Sequence, residues 1–136
     1  MKFRLAKKSD AKELSLLHYK IKDLDGRGIF SQMGKCFLNK YYSIILNDPN
    51  EVVLCAYNES GIVGFASATL DVEKQFTNLR KNKFKLFLSS IPSIIFNPNL
   101  FLELLNRYNS TKKVSENKYV ISEGARGEYW VWDPDN

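Results

Sequence analysis

The chain has 136 residues, 44% of them hydrophobic, and this length and composition fit one globular domain and argue against disorder. Its two cysteines and single histidine are too few for a His/Cys metal site, so we exclude a zinc enzyme and expect no metal. The net charge is +5. Residues 73–113 alone carry eight lysines and arginines against two glutamates, 8 − 2 = +6, so the basic character belongs to that segment.

The first third of the sequence predicts a strand followed by two helices. Residues 2–6 alternate between polar and apolar side chains, as a strand does. Asp10 and Glu13 have the spacing of a capping box, in which the Asp10 carboxylate would accept an early helical N–H. That helix should end at the turn-forming residues 25–28, and the apolar spacing predicts a second helix over about residues 31–46.

A β-hairpin is predicted next, because two β-rich runs, residues 52–57 and 62–68, flank a short turn that ends in Gly61. Each of the two cysteines, Cys36 and Cys55, is interpreted as a buried free thiol, the usual state of an unpaired cysteine.

Residues 72–117 differ from the rest of the chain, since they are basic and are interrupted by Pro92 and Pro98. They predict a helical insertion with helices near 73–90 and 98–108. A short strand is predicted at 119–121 and a clear one at 128–132.

This order of elements resembles the opening of a GNAT-type acyl-CoA N-acyltransferase. Residues 4–6 with 9–10 resemble the family's first strand and helix, and Gly-Ile-Val-Gly-Phe at 61–65 is similar to its hairpin. Trp132-Asp133-Pro134 sits where the family carries V-x-P, and a helical insertion also occurs in a subgroup that acts on sugar or small-molecule amines. The resemblance implies an α/β fold: a GNAT-like mixed sheet flanked by helices, C-terminally incomplete, with the insertion after the third strand. Residues 1–136 would then form a single partial domain.

The resemblance also implies acetyl-CoA as cofactor, with the strand backbone at Trp130, Val131 and Trp132 beside its pantetheine arm. The family's glycine-rich pyrophosphate loop should follow Pro134, but only two residues remain there. We therefore expect this chain alone to bind acetyl-CoA weakly. We also expect it to form a homo-oligomer or to pair with a complementing C-terminal chain, because its last strand would leave an open sheet edge.

The reaction implied is transfer of the acyl group to a small-molecule amine, which needs a group that takes up a proton. Glu128, at the start of the last strand, is the candidate general base, and an exposed strand-end carboxylate is the more ordinary interpretation. His18, Phe30 and Tyr41 are candidates for lining the acceptor cleft, with core packing as the alternative.

Other functions are possible for the insertion. Its longest uncharged run, residues 86–102, is shorter than the ~20 residues that a helix needs to span a bilayer. It would either lie on a membrane surface with Lys81, Lys83 and Lys85 toward anionic lipid, or form a lid whose lysines are solvated, and we favour the lid. A non-catalytic GNAT-like subunit that binds a partner chain is a further alternative. Nucleic-acid binding is not expected, and the lack of a secretory signal predicts a cytoplasmic protein.

Overall fold

A computed structural model of the protein describes residues 1–24, 29–114 and 123–135. These residues form a mixed α/β structure in which helices cover one face of an antiparallel sheet. In chain order the elements are strand β1 (Lys2–Leu5), a one-turn 3-10 helix (Lys8–Asp10), helices α1 (Ala11–Lys20), α2 (Ile29–Gln32) and α3 (Gly34–Ile45), strands β2 (Glu51–Asn58) and β3 (Gly61–Thr69), helices α4 (Val72–Lys81), α5 (Lys83–Phe96) and α6 (Pro98–Val114), and strand β4 (Arg126–Trp132).

The sheet order follows the chain, β1-β2-β3-β4, and each of these neighbouring pairs is antiparallel. The predicted order of strand, helices and strand hairpin is confirmed, as are the hairpin and the last strand. The resemblance predicts a mixed sheet, but every pairing among the described strands is antiparallel. The predicted turn at 25–28, the strand at 119–121 and the end of the insertion at 115–117 lie outside the described residues.

Glu13 of α1 fixes the hairpin against the helices. Its Oε1 accepts a 2.6 Å hydrogen bond from the Ile62 backbone N–H. Gly61 makes this approach possible, because its φ is +119° and a Cβ there would clash with the same Glu13 oxygen. The β2–β3 turn therefore depends on a contact 49 residues away in sequence.

The two faces of the sheet have opposite environments. On one face the strand residues Val53, Phe65 and Val131 pack with α1 and α3 into the hydrophobic core. On the other face, large apolar side chains of β1, β2 and β4 stay exposed, most of all Trp130 at 86%. The predicted strand alternation is present, with Phe3 and Leu5 on this open face. Arg4, which forms an ion pair with Asp10, faces the helices.

Several local predictions are corrected by the structure. Asp10 does not cap α1 with its side chain; its carboxylate accepts from the Lys7 N–H at 2.7 Å and pairs with Arg4. The predicted helix over 31–46 is two helices, because Gly34 adopts a φ of +85° between them. The predicted helix over 73–90 divides at Asn82, whose side-chain amide donates to the Asn78 carbonyl at the end of α4.

The prediction for the thiols was half right. Cys55 is fully buried in β2, but Cys36 is exposed on α3. The apolar stripe of α3 that faces the sheet passes through the neighbouring residues Phe37 and Leu38, which leaves Cys36 on the outer side of the helix.

Candidate functional site

β4 contains a bulge at Glu128. Ser67 of β3 pairs with Tyr129, and the next residue, Ala68, pairs with Gly127, so Glu128 is the extra residue on β4. A bulge of this kind interrupts the alternation of side chains along a strand. Glu128 and Tyr129 consequently both reach the helix-covered side of the sheet, where Glu128 contacts Tyr41 of α3.

Two donors hold the Glu128 carboxylate. The Tyr41 hydroxyl donates to Oε2 at 3.1 Å, and Arg126 Nη2 donates to Oε1 at the same distance. The Glu128 side chain is only 9% exposed, but the Arg126 side chain is 44% exposed, so the Tyr41 contact is partly buried and the Arg126 contact faces solvent. Burial, and then the Glu128 charge, raise the pKa of Tyr41 far above its ordinary value, which keeps its hydroxyl protonated as a donor. The arrangement is an ordered carboxylate, held by one hydroxyl donor and one cation.

The network continues from Arg126 across the end of the sheet. Arg126 Nη2 also donates to Gln75 Oε1 at 3.1 Å, and Gln75 Nε2 donates to Glu51 Oε2 at 3.2 Å. Burial, more than the nearby Glu128 charge, raises the pKa of Glu51 to about 7, while the contact from Gln75 opposes the rise. A carboxyl group that titrates near neutral pH is a second acid–base candidate.

Two buried oxygens beside this network are incompletely satisfied. Among the described residues, Glu51 Oε1 and the Ser67 hydroxyl oxygen have no partner with hydrogen-bond geometry. Thr69 still lies close enough to Glu51 to favour its charged form. The end of the sheet near β4 therefore concentrates polar groups on the helix-covered face.

Sequence reasoning identified Glu128 but missed Glu51, Gln75 and Arg126. Arg126 stands two residues before Glu128 in a strand, a spacing that favours side chains on one face, and this signal was available. Nothing in the sequence links Gln75 or Glu51 to β4, because their contact depends on how α4 crosses the end of the sheet.

The predicted acceptor residues lie together around Tyr129. The Phe30 ring is 4.5 Å from the Tyr41 ring and 6.1 Å from the His18 ring, and His18 is 4.9 Å from Tyr129. The His18 Nδ1 and the Tyr42 hydroxyl are hydrogen-bonded at 2.7 Å. His18 and Tyr41 are buried, so the cluster is part of the core. Through Tyr41 it is continuous with Glu128.

The predicted cofactor residues do not share one surface. The Val131 side chain is buried in the core, whereas Trp130 and Trp132 lie on the open face of the sheet. There they border a groove of about 260 Å³ with small residues of β3. Gly64 is required below Trp132, because a Cβ at that position would lie 2.5 Å from the indole ring.

A larger groove, of about 710 Å³, opens elsewhere. It lies between the end of α1, the start of α3 and the second half of α5, with Tyr19, Lys35 and Phe96 in its wall. None of the predicted site residues lines it.

The residues that follow β4 are acidic. Lys20 Nζ pairs with Asp133 Oδ1 at 2.5 Å and with Asp135 Oδ2 at 2.6 Å. These contacts raise the pKa of Lys20, Asp133 having the larger effect. Two carboxylates on one lysine leave this end of the sheet unsuited to a pyrophosphate, which needs backbone N–H groups or an excess of cations.

No protein-family model, curated protein or solved structure matches this chain. Among the described residues, no helix has the length and apolar character needed to cross a membrane.

Proposed function

We propose that the chain is a GNAT-type domain that contributes to acyl transfer from acetyl-CoA to a small-molecule or sugar amine, with Glu128 as the general base. One observation carries the proposal. The bulge in β4 turns Glu128 toward the helices, and Tyr41 and Arg126 then hold its carboxylate in place. Bulges are over-represented beside active sites, where they redirect a side chain.

The fold supports the same proposal. The described elements run strand, helices, hairpin and then β4, and the strands are neighbours in chain order. This is the order on which the GNAT resemblance rests, and the residues with GNAT-like spacing form the β2–β3 hairpin. His18, Phe30 and Tyr41 form one cluster with Tyr129 beside the proposed base, but His18 and Tyr41 are buried, so the cluster supports the position of Glu128 and not a cleft for the acceptor.

The described residues fit only part of acetyl-CoA. The backbone of β4 offers hydrogen-bonding groups for a pantetheine arm, but Asp133 and Asp135 would repel the pyrophosphate. We therefore expect the chain by itself to bind acetyl-CoA with a Kd of about 1 mM or weaker. Glu128 is proposed only to take a proton from the acceptor amine, since a protonated amine has no free electron pair with which to attack.

The test is an assay of amine-dependent CoA release at millimolar acetyl-CoA, with a panel of amino sugars and small amines. Release by the wild type, and its loss in Glu128→Gln, would support the proposal. Glu59→Gln, the same change in the exposed β2–β3 turn, is the matched control. If no amine gives release, the proposal of acyl transfer by this chain is contradicted.

A further inference from the structure

Helix α5 presents one stripe of apolar side chains to solvent and turns two of its serines toward the protein. Ser90 is buried and Ser93 is half-buried, whereas Phe84 is 72% and Ile95 70% exposed. With 3.6 residues per turn, Phe84, Phe87, Leu88 and Ile95 fall on one stripe of the helix. A helix that covers a core normally has the reverse arrangement.

Contacts at the start of α3 fix this orientation of α5. The Ser93 hydroxyl donates a 2.7 Å hydrogen bond to the carbonyl of Met33. Gly34 allows the approach, since a Cβ on Gly34 would clash with the Ser93 oxygen. Rotation of α5 to bury its apolar stripe would break this hydrogen bond, so the outward stripe follows from the packing of the serine face.

The exposed apolar surface extends past α5. Phe96 at the end of α5 is 88% exposed, and three side chains of the first turns of α6 are also exposed, while Leu100 of α6 is buried. We call the whole set the outer apolar surface; its members are Phe84, Phe87, Leu88, Ile95, Phe96, Phe101, Leu102 and Leu105. Large exposed side chains concentrated in one segment mark an interaction surface rather than ordinary scatter.

The charges at the α5 end of this surface are positive. Exposed basic side chains precede and open α5, namely Arg80, Lys81, Lys83 and Lys85. Residues 74–102 include no aspartate or glutamate, and Glu103, half-buried in α6, is the one acidic residue between Phe84 and Leu105. The Lys83 ammonium lies 5.4 Å from the Phe84 ring centroid, so a cation and the apolar surface meet at the start of α5. A surface of this kind complements an apolar layer below anionic head groups.

We propose that the outer apolar surface docks on an anionic lipid bilayer, with α5 lying in the interface and its lysines at the head groups. A second copy of the chain is a poorer occupant, because it carries the same net charge of +5 and so lacks the negative charge that anionic lipid offers to the four cations. A lid over the acceptor residues would turn the apolar stripe inward, and the Ser93–Met33 bond holds it outward. The proposal does not depend on the acyltransferase assignment.

The experiment is flotation of the full chain with vesicles of phosphatidylcholine alone or with about one third phosphatidylserine. We expect binding to the anionic vesicles and loss of that binding near 1 M salt, where the Debye length falls to about 3 Å. Phe87→Ser/Leu88→Ser should weaken binding by about tenfold or more, as should Lys83→Glu/Lys85→Glu. These side chains are exposed, so circular dichroism and thermal unfolding should match the wild type.

Trp130→Ser is the matched control, because Trp130 is even more exposed than Phe87 and Leu88 but lies on the open face of the sheet. It should leave vesicle binding unchanged. A direct reporter is Phe87→Trp in a chain that also carries Trp130→Phe and Trp132→Phe, whose fluorescence should shift to the blue only with anionic vesicles. The proposal is overturned if anionic vesicles do not bind, if neutral vesicles bind as well, or if only the Trp130 change abolishes binding. It is also overturned if the α5 changes dissolve an oligomer without affecting lipid binding.

Discussion

The Tyr41 hydroxyl donates a hydrogen bond to the Glu128 carboxylate, although 87 residues separate the two in sequence. Three features of the fold create this contact: α3 lies against the sheet, β4 pairs beside β3, and the bulge turns Glu128 toward α3. Because Tyr41 is buried, its hydroxyl has little access to water as an alternative partner.

Tyr41→Phe should lower the free energy of unfolding by about 2 kcal/mol, because it leaves a mostly buried carboxylate with one donor fewer. Urea denaturation measures this loss. Tyr19→Phe is the control, since its hydroxyl accepts from Lys22 at the partly exposed end of α1 and the change should cost less than about 0.5 kcal/mol. In a double-mutant cycle with Glu128→Gln the two changes should be non-additive, and strict additivity would mean that the contact carries no energy.

The sequence predicted the parts of this site that depend on local pattern. Hydrophobic alternation and turn residues located the hairpin and β4, and so placed Glu128 on a strand. The bulge could not be predicted, because it is a property of how β4 pairs with β3 and leaves no mark in β4 alone. The sequence left two orientations of α5 open, a lid and a membrane-surface helix, because only the contact of Ser93 with the Met33 carbonyl shows which face of α5 turns outward.

Glu51→Gln should change how stability depends on pH. The folded-state pKa of Glu51, about 7, lies above its ordinary value of 4.5, so the folded protein holds this proton more tightly than the unfolded chain. The contribution of Glu51 to stability is therefore fully present below about pH 4.5 and is lost as the pH rises to about 7. Glutamine does not titrate, so Glu51→Gln should gain stability relative to the wild type across that window.

Unfolding free energies of both proteins at about pH 4.5 and about pH 8 measure the effect of Glu51. A difference between wild type and variant that stays constant with pH would show that Glu51 titrates as an ordinary carboxyl group.

Gly34→Ala should destabilise the protein by about 2–4 kcal/mol. The φ of +85° disfavours any residue with a Cβ, and the added methyl group would clash with the Ser93 hydroxyl. Adding Ser93→Ala should recover part of this loss, because it removes the clash but not the backbone strain. Chemical denaturation of the two single variants and the double variant separates these contributions. A Gly34→Ala variant as stable as the wild type would contradict the packing of α5 on α3.

The two thiols should differ in reactivity. Cys36 is exposed, whereas Cys55 is buried and burial raises the pKa of its thiol to about 11. A thiol reagent should therefore modify one cysteine in the native protein and two after unfolding. Cys36→Ser should abolish the native-state reaction, and rapid labelling of that variant would mean that β2 opens readily.

The central claim is that Glu128 takes the proton from an acceptor amine. The most direct measurement is the rate of amine-dependent CoA release by Glu128→Gln at millimolar acetyl-CoA, beside the wild type and Glu59→Gln. We expect a fall of about 10²-fold or more in the Glu128 variant, with acetyl-CoA affinity unchanged and the control as active as the wild type. Equal rates in wild type and Glu128→Gln would contradict the claim and make Glu128 a structural partner of Tyr41 and Arg126.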